Sequence, residues 1–489
     1  MTQPLRLATG TELLGAWQGS AYASQPCLIK RRDGQVLRVS QLIYAVAAAL
    51  SESEDLHIVF PAEEGAESAD LHELAARVAS RSSRDVDASN VAFLLQTKLA
   101  PLGVLDWGQA PQQLPRPQAV LALRLRFKVV PERLHRRVTS TLTFLFWPPL
   151  VVTALLALAG GDIWLAVARG HSAFVATGAV LDHPALILAV TAMTVFAAMI
   201  HETGHAAGTR AGGATPGVMG AGIYLAWPVF YTDISDSYRL SRGGRLRADL
   251  GGVYFNVLTL LAAIAAYGAT RWSPLLVFVA VTHLEVLTQF LPFVRLDGYW
   301  VVSDLVGVPN LFAYLGPVVA RLTRAETPAS RARLAEIRPW ARRVISGWVA
   351  ATTVVLGVEL LIVGWLGPRL VTQAVEAMIG RARLLGLAVS AGRPVIAVVD
   401  LFDLVFLAVP AAGLLYMGAL LTGRAVGAVR RWRRQHPARA VSLTGALLAL
   451  AALQILTVVR GLLPSPPASP GYPGQPLALG RPPSMAVPP

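Results

Sequence analysis

The segment His201-Glu202-Thr203-Gly204-His205 combines residue types and a spacing that suit metal chemistry. Histidines four residues apart lie on one face of a helix, so both imidazoles can bind a single zinc ion. The carboxylate of Glu202 beside them suits removal of a proton from a metal-polarised water. The motif closes a long apolar stretch, where ionisable side chains are costly and by default functional. The competing reading is a helix end with two interfacial histidines.

A catalytic zinc needs a third protein ligand and an open position. Asp297 is the candidate, in Leu291-Pro-Phe-Val-Arg-Leu-Asp297-Gly298 at the end of another apolar stretch. Pro292 and Gly298 break the helix there and let a carboxylate turn to the metal. Asn256, in the apolar stretch between, is a candidate contact to substrate or to a tetrahedral intermediate. A helix–helix hydrogen bond is the equal alternative for it. Glu285 and His283 precede Asp297 by twelve and fourteen residues. A helical rise of about 1.5 Å per residue puts them about 18–21 Å away, too far for the same metal. They, Glu359, Asp400 and Asp403 read as structural. Asp233 and Asp236 read as turn formers.

The elements that must carry these groups are apolar. The chain of 489 residues is 54% hydrophobic and only 15% charged, with a mean hydropathy of +0.52. A typical soluble domain is about 25% charged, so a membrane protein is the default and wholesale disorder is excluded. Seven spans are expected, at 142–160, 184–205, 249–269, 274–293, 344–366, 395–421 and 442–463. Each approaches the roughly 20 residues that cross a bilayer core. The segments 116–141, 206–248, 294–343 and 422–441 hold 26 Lys and Arg, against 7 in the alternate segments. The basic set should face the cytoplasm. The four arginines of 367–394 run against that pattern. The cluster Arg430-Arg431-Trp432-Arg433-Arg434 reads as a topology anchor touching anionic lipid.

Charge also separates the N-terminal part. Residues 1–115 carry a net −4, and the rest carries +18, for +14 overall. That basic excess lies between apolar runs, so it is not a nucleic-acid footprint. Residues 1–115 read as a small cytosolic α+β domain without a signal peptide ahead of it. Asp33-Gly34 is a hairpin turn, and Ser40 caps a helix through Leu50. Further helical patterns run near 70–80 and 89–99. The fold is compatible with a winged helix or with an unspecific α+β cap. A Pro/Gln-rich linker at 109–118 and a basic linker over 116–141 lead to a membrane body over 142–463, its core at about 184–310. A Pro-rich disordered tail follows at 464–489. The single Cys27 precludes an intrachain disulfide. The glycine-rich segment 206–248 contains an extended aromatic run, Ile223–Tyr231. It reads either as a membrane-dipping hairpin that holds an unwound substrate by edge pairing, or as an interfacial loop.

His201–His205 in one span, with Leu296-Asp297-Gly298 about ninety residues on, resembles the site-2 protease family of intramembrane zinc metalloproteases. The likeness is strongest to a bacterial branch of peptide zinc metalloproteases. It extends through Pro228–Asp233, Ser237-Tyr-Arg239, Gly251-Gly252 with Asn256, and Leu296–Asn310, covering roughly residues 139–345. The resemblance implies a zinc site of His201, His205 and Asp297, Glu202 as the base, and three core spans, the second to fourth. It also implies a site near the cytoplasmic face of a bacterial membrane. The family usually has Asn-Pro where this chain has Leu291-Pro292, a departure that bears on substrate contacts and not on the metal.

The implied activity is peptide hydrolysis through metal-activated water. Its substrate would be a membrane-associated protein or a small ribosomally made peptide. The partners would be that substrate, the lipid bilayer, and a peptide exporter or modifying enzymes, with no nucleic acid. Residues 26–100 bear a faint likeness to winged-helix leader-binding domains. A di-iron desaturase is disfavoured, because it needs several histidine clusters and this chain has one such pair. A non-hydrolytic peptide-binding or export-associated protein is the alternative.

Overall fold

The computed structural model describes residues 5–52, 69–82, 84–106, 124–224, 227–291, 295–394, 396–405 and seven further positions between 407 and 427. The predicted span at 442–463, part of that at 395–421, the arginine cluster from Arg430, the Pro/Gln-rich piece at 109–118 and the tail lie outside them.

The N-terminal module contains β1 (Arg6–Leu7), β2 (Glu12–Ala16), β3 (Cys27–Lys30) and β4 (Val36–Val39). There follow α1 (Gln41–Ser51), α2 (Ala69–Ser82), α3 (Ala88–Leu94) and β5 (Leu105–Asp106). Strands β2, β3 and β4 form an antiparallel meander, and β1 pairs with β5. The turn between β3 and β4 is the predicted one. Gly34 takes a φ of 83°, a region that favours glycine, and its amide donates to the Arg31 carbonyl at 2.8 Å. Ser40 caps α1 by accepting from the Ile43 amide. The three predicted helices are all present, as α1, α2 and α3 with its helical extension to Leu102. The α+β module is therefore real, and nothing in it separates a winged helix from another small cap.

Strand β3 is buried on both faces. Its alternating side chains serve two cores, as a period of two demands. Cys27 and Ile29 face a core with Val46, Leu74, Val91 and Leu95 of the module's own helices. Leu28 faces the other way, into a core shared by Trp17, Tyr22, Tyr299, Tyr314 and Trp348. The module is thus built into the rest of the chain.

The membrane body begins with β6 (Arg124–Val130) and α4 (Glu132–Thr141), in the stretch read from sequence as linker. Arg124-Leu-Arg-Phe-Lys-Val alternates polar and apolar residues, a strand pattern, and it pairs antiparallel with a later hairpin. Next come α5 (Pro148–Asp182), α6 (Pro184–Ala211), the hairpin β7 (Met219–Tyr224) and β8 (Trp227–Thr232), α7 (Arg242–Asp249), α8 (Gly251–Thr270) and α9 (Pro274–Gln289). The chain continues through α10 (Asp297–Val306), α11 (Leu315–Leu322), α12 (Pro328–Ala335) and α13 (Pro339–Ser390).

Among the described residues, four helices are long and apolar enough to span a membrane: Pro148–Ala168, Ala185–Ala211, Gly251–Thr270 and Pro339–Val358. The pair α10 and α11, bent by 69°, makes five if it counts as one broken span. Lipid-type exposure accompanies them, as at Val167 and Phe196, 84% and 64% exposed. The expected span at 274–293 is instead the 16-residue α9. At about 24 Å it falls short of the roughly 30 Å hydrocarbon core. The chain turns at Phe290 before the helix can lengthen.

Arg31 is buried and bidentate to Asp33, at 2.9 and 2.6 Å, with a third bond to the Leu102 carbonyl. That guanidinium holds the Asp33 carboxyl below the usual carboxylate range. A lowered acid contributes stability above its unfolded pKa and loses it as pH falls through the folded one. Hydrogen exchange of the β3–β4 amides in the full chain should therefore accelerate on acidification below the ordinary carboxylate range. Asp33→Asn should remove most of that pH dependence. An unchanged acid limb in the Asn variant would show that the pair does not hold the hairpin.

Candidate metal centre

The α6 helix starts at Pro184, whose missing amide costs nothing in a first turn. It ends at Gly212, followed by Gly213 with φ 98°. His201 and His205 lie on its buried face, each 7% exposed. Their Nε2 atoms are 3.0 Å apart, with the rings nearly perpendicular at 81°. Asp297 is the first residue of α10 and brings Oδ2 to 3.0 Å from His201 Nε2 and 3.3 Å from His205 Nε2. The structure thus draws together three side chains of two ligand types from two distant segments, a group able to hold a metal ion.

The dimensions fit zinc. Tetrahedral bonds of about 2.0–2.1 Å place ligand atoms about 3.3–3.4 Å apart. The observed edges of 3.0, 3.0 and 3.3 Å are close to that. Two imidazole nitrogens and one carboxylate oxygen thus lie within 3.3 Å of one another, an arrangement that a shared cation stabilises. The tautomer of His205 is set from behind. Its Nδ1–H donates to the Ala248 carbonyl at 2.9 Å, which leaves Nε2 with a lone pair for the metal. His201 Nδ1 has no such partner.

Room for the triangle comes from glycines that the sequence reading used only as marks of likeness. A Cβ at Gly252 would press on His201 Nε2 and His205 Nε2. A Cβ at Gly204 would collide with the Gly251 carbonyl, one at Gly251 with the Gly204 carbonyl, and one at Gly208 with the Arg247 carbonyl. Helices α6 and α8 therefore cross at backbone contact. The signal was present as Gly204, Gly208 and Gly212 at four-residue intervals, the small-residue pattern of close helix packing in membranes.

A second missed device fixes Asp297. Arg245 on α7 is fully buried; its Nε donates to Asp304 Oδ1 at 3.0 Å and its Nη1 to the Leu240 carbonyl at 2.9 Å. Asp304 lies seven residues after Asp297, two turns along α10. Arg245 lies three residues before Ala248, the acceptor behind His205. One ion pair thus ties both supports of the site together. Burial and the neighbouring Asp304 carboxyl push Asp249 well above the ordinary carboxylate range. The indole of Trp17 lies 5.3 Å from the Arg245 guanidinium, so the N-terminal module covers the clamp. The module is further tied there by bonds from Ala21 N–H to the Gly307 carbonyl and from Arg242 to the Gly19 carbonyl.

Glu202 is half-buried between the histidines, and the Thr232 hydroxyl at the end of β8 donates to its main-chain carbonyl at 3.0 Å. Its side chain makes no hydrogen bond or ion pair among the described residues. Asn256 stands one turn beyond Gly252 on the same face of α8, 2% exposed, with Nδ2 buried and unpartnered. The distance expected for Glu285 does not hold. The chain reverses after Gln289, Gly298 packs on Gln289 and Phe290, and Glu285 lies close enough to feel the charges of His201 and Asp297. His283 pairs with Asp162 of α5 at 3.2 Å. Asp400 and Asp403 pair with Arg381, each at 3.2 Å. Asp233 is a turn former, accepting from the Ser235 amide, whereas Asp236 accepts from the distant Thr215 amide and pairs with Arg239. The side chain of Glu359 lies outside the described residues.

No protein-family model, no curated protein and no solved structure matches the chain. The geometry of the site therefore carries the functional reading.

Removing one partner of a buried ion pair costs about 3–5 kcal/mol, because the other charge is left unpaired. Arg245→Met should lower the bound zinc of purified protein, measured by elemental analysis. Arg245→Met/Asp304→Leu should recover a large part of the lost stability. Gly252→Ala should displace the histidines and reduce zinc without that recovery. Full zinc occupancy in both single variants would show that neither group positions the site.

Proposed function

We propose that the chain is a membrane-embedded zinc endopeptidase of the site-2 protease type, in a bacterial cytoplasmic membrane with its N-terminus cytosolic. The triangle of His201, His205 and Asp297, with Glu202 in the same helical turn, is the observation that carries this reading. The residues fit the ion by donor type, edge length and fixed tautomer. A zinc ion held there supplies a Lewis acid that polarises a carbonyl oxygen and lowers the pKa of water.

The remaining roles belong to the chain. Glu202 takes the proton of the attacking water on a carboxylate oxygen and later delivers it to the leaving amine nitrogen. Asn256 Nδ2 is a free donor on the helix face beyond the histidines, suited to a developing oxyanion. Strand β8 is the outer strand of the order β6-β7-β8, and its end is bonded to the Glu202 backbone. An extended peptide added at that edge would pass beside the carboxylate. Packing of α6 against α8 and α9 closes the opposite side. The substrate is a small ribosomally made peptide or a membrane-associated segment, and the cytosolic module, anchored over the Arg245 clamp, is placed to present it.

Glu202→Gln should retain zinc and lose cleavage by about 10²–10⁴-fold, the range for a general base. His201→Ala and Asp297→Ala should lose the zinc itself. Comparing the peptides of cells carrying wild-type or Glu202→Gln protein should reveal one uncut precursor in the variant. Cleavage by the Gln variant at the wild-type site and rate would refute the mechanism. Wild-type zinc in Asp297→Ala would remove Asp297 from the ligand set.

A further inference from the structure

Between the end of α11 and the start of α13 lies a cavity of about 580 Å³, lined by Arg321, Arg324, Glu326, Arg331, Leu334 and Arg342. Four guanidiniums face one carboxylate. Glu326 is engaged by Arg331 at 3.7 Å. Arg321 and Arg324 have no side-chain ion pair among the described residues. Arg342 donates to the Ile337 carbonyl at 3.4 Å, while its Nε is buried without a partner. The cavity therefore holds an uncompensated charge near +3. Arg324 has a φ of 56°, a backbone region that glycine adopts at no cost, so the chain keeps an arginine where the local geometry disfavours one.

The chemistry suits a phosphate. Planar guanidinium forks bind tetrahedral oxyanions through paired hydrogen bonds, and several converging on one point favour a group with more than one charged oxygen. The setting decides the source. The span Pro339–Val358 begins beside the cavity, and the bent pair of apolar helices ends there at Leu322. Leu322, next to Arg321 at the end of that pair, is 66% exposed. An exposed apolar side chain beside arginines, where apolar helices end and begin, matches a membrane interface. We propose that this cavity binds the phosphate of an anionic phospholipid headgroup, with the acyl chains lying along α11 and α13. Such a lipid would brace the segment that carries Asp297 and the helix that supports the N-terminal module. The site is independent of the metal centre and stands or falls without it.

The test uses delipidated full-length protein in detergent and native mass spectrometry. Phosphatidylglycerol, phosphatidylcholine and inorganic phosphate are titrated separately. Phosphatidylglycerol should bind at least tenfold tighter than phosphatidylcholine. Each arginine near a lipid surface contributes about 1 kcal/mol, roughly fivefold, so Arg324→Gln/Arg342→Gln should weaken phosphatidylglycerol roughly 25-fold. Arg324→Lys/Arg342→Lys should keep most of the preference, and Arg383→Gln, an exposed arginine elsewhere, should keep all of it. An unchanged circular dichroism spectrum and size-exclusion profile of the Gln pair show that the variant is folded. Equal binding of the two lipids, or a Gln pair that binds phosphatidylglycerol like wild type, would overturn the proposal. Saturation by inorganic phosphate without any lipid preference would overturn the lipid source and assign the cavity to a soluble phosphate ligand.

Discussion

The crossing of α6 and α8 at backbone contact is the constraint on which the rest depends. Two imidazoles one turn apart can share an ion only if the neighbouring helix leaves the ion and its ligands space. The end of α7 that leads into it must also approach closely enough for the Ala248 carbonyl to reach His205. Gly204, Gly251 and Gly252 meet both demands: any Cβ there would strike backbone or imidazole. In a lipid environment tight van der Waals packing replaces the hydrophobic effect between helices. The same glycines that shape the site are therefore those that hold the two helices together.

A metal site in an apolar body also needs its charges held still. The low local dielectric makes each unpaired group costly, and the structure answers with a small set of buried partners. Arg245 and Asp304 join α7 to α10, and through them the support of His205 to the carrier of Asp297. The N-terminal module closes this arrangement with Trp17, Tyr22 and Leu28 packed against Tyr299 and Trp348. The N-terminal module thus has a short physical path to Asp297, made of packed side chains and one ion pair.

Much of this was legible in the residues. The spacing of His201 and His205, the Asp33-Gly34 turn and the Ser40 cap are local signals, and the structure places each as local chemistry requires. Four of the expected spans are helices of sufficient length because apolar length is a one-dimensional property. The span at 274–293 was misjudged because hydropathy does not register where a chain reverses. Glu285 was set too far from the metal for the same reason, since helical rise measures distance only while the helix continues. The strand at Arg124–Val130 has a period of two in its sequence, but the hairpin it pairs with lies about ninety residues away.

The sequence by itself determined which side chains can do chemistry, because residue type and helical spacing set donor identity and direction within a turn. It also determined the apolar medium in which they work, through composition alone. Only the tertiary structure decided that the three ligands converge to edges of 3.0–3.3 Å. That convergence rests on contacts between segments far apart in the chain: glycine against carbonyl, Arg245 against Asp304, and His205 against Ala248. Their physical basis is steric fit and charge pairing across helices, which no local pattern encodes.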